Sequence, residues 1–457
     1  MSMSTEIAWL DRDTAAQEQV TRLLSTFEEP RTLDSLGLGV IRDALADEIA
    51  PGVSTAQTRL RYFLFIPWIF ERVAVESSRT PFQRRLRDAE VTLIDRLAHL
   101  GSRQGVIGLR SRVALRTMPS ALYWSGLGAW EIRKFDGSVR QAAASVSSAS
   151  RLWVHTDDDG NRLETGPRLW CELPPPPDGL LEHKECLDLS IAEAEWLVDR
   201  LRSAAVTRDS LLRHAADYAD QARRSGEAAK VQAWTTPWAM PEDLPVHTLN
   251  DRNRIALRHA RCVSEVTEGP RILYNIMLAE HASQSHAKGD KGARGTADEA
   301  ESKREDWMAL LNEWAGLVSE SKTAKRLTEW HRSLADPDPA EGFWAYLEHL
   351  RGRPASRHLQ QFVHEMARQV STSPEAFDNE TTRWHIKQRE RKLKGGRARL
   401  GQAAHASGPL KAWIDRGMPF TGGAFDYRWN QVTSYLADLA NAGQPGSCLA
   451  IDDGRDR

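Results

Sequence analysis

The densest set of like-charged side chains in the sequence is HIKQRERKLKGGRAR, residues 385–399. Lys387, Arg389, Arg391, Lys392, Lys394, Arg397 and Arg399 are opposed inside the run only by Glu390. Such a cluster suits phosphate, because each Lys or Arg that meets a phosphate displaces condensed counterions. Trp384 stands beside it as a platform on which a base can stack. Gly395-Gly396 breaks the run and gives a flexible entry where backbone amides can face an anion. The competing reading is a solvated helix end followed by a turn, since short basic runs often bind nothing.

A second set is Thr55, Gln57, Thr58, Arg59 and Arg61, just after Pro51-Gly52. In a helix–turn–helix these residues open the second helix, where base-reading side chains are displayed. The same segment, however, runs directly into YFLFIPWIF, which is apolar all round and belongs in a core. Arg59 and Arg61 then have Asp43 and Asp47 of the preceding helix as partners, and an ordinary helix pair is the commoner arrangement.

Patterns for bond-breaking chemistry are incomplete. Asp178 followed by Glu182-His183-Lys184 carries the letters of a PD-(D/E)xK nuclease, but the spacing is too short for two adjacent strands. His385-Ile386-Lys387 begins an HxK(x)4D phosphodiesterase pattern, and Lys392 stands where the Asp is required. Cys171, His183 and Cys186 offer three zinc-type ligands with no fourth at regular spacing. Asp157-Asp158-Asp159-Gly160 lacks the alternating acids and the closing Glu of a calcium loop, and reads as a turn. No Walker A, GxSxG, HExxH or GxGxxG element occurs. No catalytic residue, metal or cofactor is therefore expected.

The elements that must position these residues are mostly helices. Apolar residues recur at helical spacing over 13–27, 33–49, 82–100 and 250–280, the last broken at Gly269-Pro270. A further helix is expected from Ser54 or Thr55, as cap, through Val73, kinked or divided at Pro67. Ser190-x-x-Glu193 is a capping box opening another. The aromatic, glycine-bearing stretch at 119–135 has no clear type. Residues 152–170 pattern as a β-hairpin around DDDGN. Asp426 is placed to cap a last helix whose apolar face carries Val432, Tyr435, Leu436 and Leu439. The expected fold is thus mainly α, multi-helix, in two or three domains with a minor β-hairpin element. Four prolines at 174–177 and the apolar-poor stretch at 286–305 mark boundaries. They divide the chain into 1–173, 174–285, a flexible charged loop at 286–305, and 306–457 with the basic segment.

With 61 basic against 63 acidic residues, the chain has no global field to draw it onto nucleic acid or an acidic membrane. Any such binding must be local. The four cysteines of the 457-residue chain are scattered, which fits a reducing cytoplasm. The N-terminus does not read as a signal peptide, and YFLFIPWIF is far too short to span a membrane, so no membrane role is expected.

Several segments together resemble the bacterial DUF6361 family. They are EIAWLD at 6–11, LGLGVIRDALADEIAPGVSTAQTRLRYFLFIPWIF at 36–70, PSALYWSGLGAWEIR at 119–133, LPPPPDG at 173–179 with the following AEAEWLVDRL, LYNIMLAE at 273–280 and FDYRWNQV at 425–432. The resemblance implies a bacterial cytoplasmic protein from gene neighbourhoods like phage-defence islands, near helicase- and nuclease-like genes. It carries no catalytic residues. The expected function is a non-catalytic component of an antiviral-defence or DNA-processing system that binds DNA or RNA, or a helicase or nuclease partner. The alternatives are a divergent metal-dependent nuclease or hydrolase, and a protein–protein scaffold.

Overall fold

The fold is given by a computed structural model, which describes residues 34–75, 78–98, 104–152, 169–183, 185–228, 231, 234–239, 249–286, 293–401 and 408–444. Among the described residues there are fifteen α-helices and no strand, so the chain is mainly α. In chain order they are α1 (Gly39–Ile49), α2 (Tyr62–Val75), α3 (Phe82–Ala98), α4 (Pro119–Ala129), α5 (Val139–Leu152), α6 (Ile191–Ser203), α7 (Leu211–Ser225) and α8 (Asp251–His286). There follow α9 (Ala293–Ser319), α10 (Ser321–Ser333), α11 (Phe343–Arg351), α12 (Arg357–Thr372), α13 (Glu380–Lys394), α14 (Gly408–Asp415) and α15 (Trp429–Ala440). No helix is long and apolar enough to cross a membrane. The expected hairpin and the helix expected at 13–27 fall on positions outside the described residues, except that Trp170 forms one antiparallel bridge with Arg133.

The chain divides into two compact units, each assembled from separated stretches. Unit 1 takes the segment up to Gly39, then Ser264–Leu334 and Ala355–Ala424; unit 2 takes Val40–Val263, Ala335–Pro354 and the chain from Phe425. This division differs from the contiguous segments suggested by the proline run. That run lies within unit 2, where Trp68 Nε1 donates to the Pro174 carbonyl at 2.8 Å.

The core of unit 2 forms around α2. Every residue from Tyr62 to Phe70 is buried, and Pro67 sits inside the helix without dividing it. A proline there removes one ladder hydrogen bond, but the ring packing is extensive. Phe63 stacks on Trp130 at 4.0 Å and meets Tyr123 edge-on at 5.1 Å. The helix starts at Tyr62, later than expected, and neither Ser54 nor Thr55 caps it. Of the stretch 119–135, residues 119–129 form α4, opened by Pro119 at its first turn. The capping box forms as read: Ser190 Oγ accepts from Glu193 N, and Glu193 Oε2 accepts from Ser190 N at 2.8 Å. Asp426 does not cap α15 but bonds Arg428 N at 3.2 Å in the turn before it.

Unit 1 is built from the α8 residues beyond Val263 with α9, α10, α12, α13 and α14. Two expectations are corrected there. Residues 293–305 are helical rather than part of a loop, since α9 begins at Ala293. The charges that signal a loop are spaced to support a helix, with Glu299–Lys303 at 3.1 Å and Glu301–Arg304 at 2.6 Å. Helix α8 runs unbroken through Gly269-Pro270. Gly269 is there because the Trp314 indole lies against it: an added Cβ would stand 2.3 Å from the ring. Trp314 Nε1 donates to the Glu265 carbonyl at 2.8 Å, which holds the ring in place.

Two predictions follow from this packing. Gly269→Ala, though helix-favouring by propensity, should destabilise unit 1 by about 1–3 kcal/mol through overpacking; an unchanged or higher denaturation midpoint contradicts the packing. In unit 2, Glu90 is buried between α3 and α4, accepting from Ser120 N at 2.7 Å and Ser120 Oγ at 3.1 Å. Burial pushes its carboxyl up to about 7, against those hydrogen bonds. A folded value above the unfolded one means stability that is complete below the ordinary carboxylate range and lost as pH rises through 7. Glu90→Gln keeps an acceptor and does not titrate. The melting temperature of the native protein should therefore fall relative to the Gln variant between pH 5 and pH 8. Parallel profiles would refute this.

Candidate nucleic-acid interface

Helix α13 is opened by Asn379, whose side chain accepts from Thr382 N at 2.9 Å. Thr382, Ile386, Arg389 and Glu390 form its buried stripe. The spacing is that of an ordinary amphipathic helix, but two of the four inward residues are charged. Arg383 is taken up structurally, gripping both Glu280 oxygens at 2.6 and 2.9 Å.

The basic run is therefore split by burial. Arg389 is 7% exposed; its Nε donates to the Leu36 carbonyl at 2.8 Å and its Nη2 to that of Gly37 at 3.3 Å, and its guanidinium lies over the Phe362 ring. Burial lowers its pKa. Arg399 is buried too, and Lys394 is half-buried with its Nζ 3.4 Å from Ser35 Oγ. These three do not belong to an open binding surface. Lys387, Arg391, Lys392 and Arg397 are exposed, and so is Trp384, at 56% the most solvent-exposed aromatic ring among the described residues. Trp384, Lys387 and Arg391 repeat at helical spacing on one face, with successive cations about 6 Å apart along the axis. Among the described residues, none of the four exposed cations pairs with a carboxylate. Arg391 and Lys392 also complement the helix dipole at its C-terminus, which Lys387 and Trp384 do not.

After Lys394 the chain turns back. Gly395 has a φ of +53°, and the next residues make a single 3-10 turn, Gly395–Arg397. Such a φ is strained for any side chain with a Cβ. The return is fixed by Glu390, fully buried, which accepts from Tyr274 Oη at 2.6 Å and from the backbone N–H groups of Arg399 and Leu400, each at 2.9 Å. Sequence reasoning gave no role to Glu390, Tyr274 or Ser35. The signal present was Glu390 itself, the lone acid in a basic run.

The second set of candidates is corrected outright. Residues 50–61 form turns rather than the start of a helix, and they face inward. Gln57 is buried, bonding Ser54 N at 3.0 Å, the Gly52 carbonyl at 3.1 Å and Tyr435 Oη at 2.9 Å. Thr58 Oγ1 donates to the Gly105 carbonyl at 2.7 Å. Arg59 pairs with Asp438 at 2.7 Å and Asp188 at 3.4 Å, and Arg61 with Glu193 at 2.8 Å. The expected partners Asp43 and Asp47 are met by Arg428 instead. Thr55 alone of the set is exposed. No group of three or more His, Cys, Asp and Glu among the described residues is placed to hold a metal ion.

Burial predicts opposite behaviour for neighbouring cations. Arg389→Ala leaves two carbonyls without their donor and should cost about 2 kcal/mol of stability. Lys387→Ala should stay within about 0.5 kcal/mol of the native protein. Chemical denaturation of both variants checks this, and equal effects would refute the division.

No curated protein and no solved structure matches the chain. A family model described as a family of unknown function matches residues 3–443. The chain accordingly belongs to the DUF6361 family.

Proposed function

We propose that the chain binds nucleic acid through the outer face of α13, as a non-catalytic component of a bacterial antiviral-defence or DNA-processing system. The observation that carries the binding is the exposed Trp384 on one helical stripe with Lys387 and Arg391, flanked by Lys392 and Arg397. A solvent-facing indole ordinarily seeks an apolar partner, and unpaired cations seek anions. A single strand supplies both, its bases stacking on the ring while its phosphates meet the cations. A duplex hides its bases and uses only the cations, so single-stranded DNA or RNA is the better fit. The cellular setting rests on the family's gene neighbourhood, which is association rather than mechanism.

The test is fluorescence anisotropy with a labelled single strand over a range of salt. Changing Lys387, Arg391, Lys392 and Arg397 together to Ala should weaken binding at least tenfold. The slope of log affinity against log salt should flatten by up to about 0.7 for each lost contact. Trp384→Ala should weaken binding by about 1–3 kcal/mol while leaving the salt slope in place. Unaltered affinity in both variants would remove the face from consideration.

A further inference from the structure

A turn in unit 2 presents a surface that the fold does not use. Residues 108–115 close on themselves: a Cβ added to Gly108 would stand 2.6 Å from Leu115 Cδ2. Arg112 N donates to the Gly108 carbonyl at 2.7 Å, and Leu115 N to the Arg112 carbonyl at 2.9 Å. Arg87 on α3 fastens the turn, its Nη2 donating to the Val113 and Leu115 carbonyls at 3.0 and 2.8 Å. Within it Arg112 takes a φ of +41°, the left-handed region that a residue with a Cβ disfavours. Strain of this kind persists where surrounding contacts enforce it, and it gathers at functional positions. The turn presents Val113, 71% exposed, with Arg110, Ala114 and Arg116 exposed beside it. Arg112 meets Asp95 at 3.2 Å, whereas Arg110 and Arg116 pair with no carboxylate among the described residues. Residues 104–118 contain no aromatic ring on which a base could stack. A fixed aliphatic knob between two unpaired arginines instead matches an apolar seat with an acidic rim.

Unit 1 has such a seat on α9. Trp307, Leu311, Trp314 and Val318 turn one side of the helix inward. On the other side Leu310 and Leu317, two turns apart on one face, are exposed, Leu317 at 54%. Asp306, Glu313 and Glu320 are exposed around them and make no ion pair among the described residues. From Glu305 to Glu320 the chain has no basic residue. Gly316, three and four residues from Glu313 and Glu320, has open space where a Cβ would project and no positive φ. Glycine is unfavourable inside a helix, and neither packing nor backbone conformation within the chain requires it here. Its missing side chain leaves a notch in the face.

We infer that the Val113 knob of one copy of this chain seats on the Leu310–Leu317 face of α9 in a second copy. This goes beyond the proposed function and does not depend on it. The charges choose the occupant: Arg110 and Arg116 flank the knob, Glu313 and Glu320 flank the notch, and both sets lack partners within the chain. Complementary charge fixes the register of such a contact, while the apolar centre excludes water from it. The two surfaces differ, so the contact runs head to tail, and copies close into a ring or extend.

Sedimentation of the full-length protein over a range of concentrations, at low and high salt, tests this. At low salt the average mass should climb above that of one chain as concentration rises, and high salt should reverse the climb. Arg110→Glu with Arg116→Glu should weaken self-association about tenfold or more, and Glu313→Arg with Glu320→Arg should do the same. A chain carrying all four reversals should associate again, because the pairs are restored with their signs exchanged. A native protein that stays monomeric at every concentration overturns the proposal. So does a four-reversal chain that associates no better than either pair alone. Should a reversed chain fail to fold, Val113→Ser and Leu317→Ser probe the same contact. Each should weaken association, and native-like association in either overturns the pairing.

Discussion

The buried Glu390 carboxylate is the constraint on which the candidate site depends. It receives three donors, two of them backbone amides lying nine and ten residues further along the chain. A carboxylate in a dry interior is tolerable only when its lone pairs are filled, and here they are filled by neutral groups. The consequence is geometric. With Arg399 N and Leu400 N held against α13, the chain must reverse immediately after Lys394, and Gly395 supplies the left-handed residue that the reversal needs. That reversal folds the second half of the basic run back beside the first. It withdraws Arg399 and half-buries Lys394, yet leaves Arg397 at the bend in solvent. The segment thereby acquires an outer face and an inner end, which no straight helix of the same composition would have.

Unit 2 uses the same device, a buried carboxylate that accepts from backbone, with an arginine added to it. The segment 50–61 has little regular structure, and its backbone is held by side chains. Asp438 on α15 accepts from Leu60 N at 2.8 Å and pairs with Arg59, while Tyr123 Oη accepts from Thr58 N at 2.8 Å. Burial pushes the Asp438 carboxyl up to about 6, with Arg59 pulling the other way. Arg61 reaches Glu193, the same residue that closes the capping box of α6, so one carboxylate serves a helix start and a buried ion pair. Removing one member of such a pair is costly because the other remains charged in the core. These arginines hold the fold together, and their chemistry is used up in doing so.

Periodicity made much of the helical fold legible, because apolar spacing reports which face is buried. The Ser190–Glu193 box, the buried α2 and the apolar face of α15 were readable for that reason. Where polar groups are buried, the same rule misleads. In the sequence, Arg59 and Arg61 read as partners of Asp43 and Asp47 or as groove readers, and Gln57 as a groove reader, since the true partners Glu193, Asp438 and Tyr435 lie more than 130 residues away. The stretch 293–305 looked like a loop because its charges were read as composition rather than as ion pairs three and four residues apart. Gly269-Pro270 looked like a break, because a glycine chosen to seat Trp314 cannot be told from one chosen to end a helix. The basic run was visible at once, but its division into Arg389 and Arg399 inside, and Lys387, Arg391, Lys392 and Arg397 outside, depends on a fold that places Leu36, Gly37 and Tyr274 against it.

That division bears on what the exposed cations are for. Lys387 and Arg391 stand four residues apart on one helical face, an arrangement that costs a few tenths of a kcal/mol through like-charge repulsion. The other arginines on α13 offset their cost within the fold, Arg383 through Glu280 and Asp378, and Arg389 through two carbonyls. The outer cations find no carboxylate among the described residues, and Trp384 beside them leaves a large ring in water. A polyanion carrying flat aromatic groups would relieve the repulsion and cover the exposed ring together. A simple anion would satisfy the charges and leave the indole bare; an apolar partner would cover the indole and leave the charges opposed. The pairing of the two features on one stripe, rather than the abundance of basic residues, is therefore what supports the proposed nucleic-acid binding.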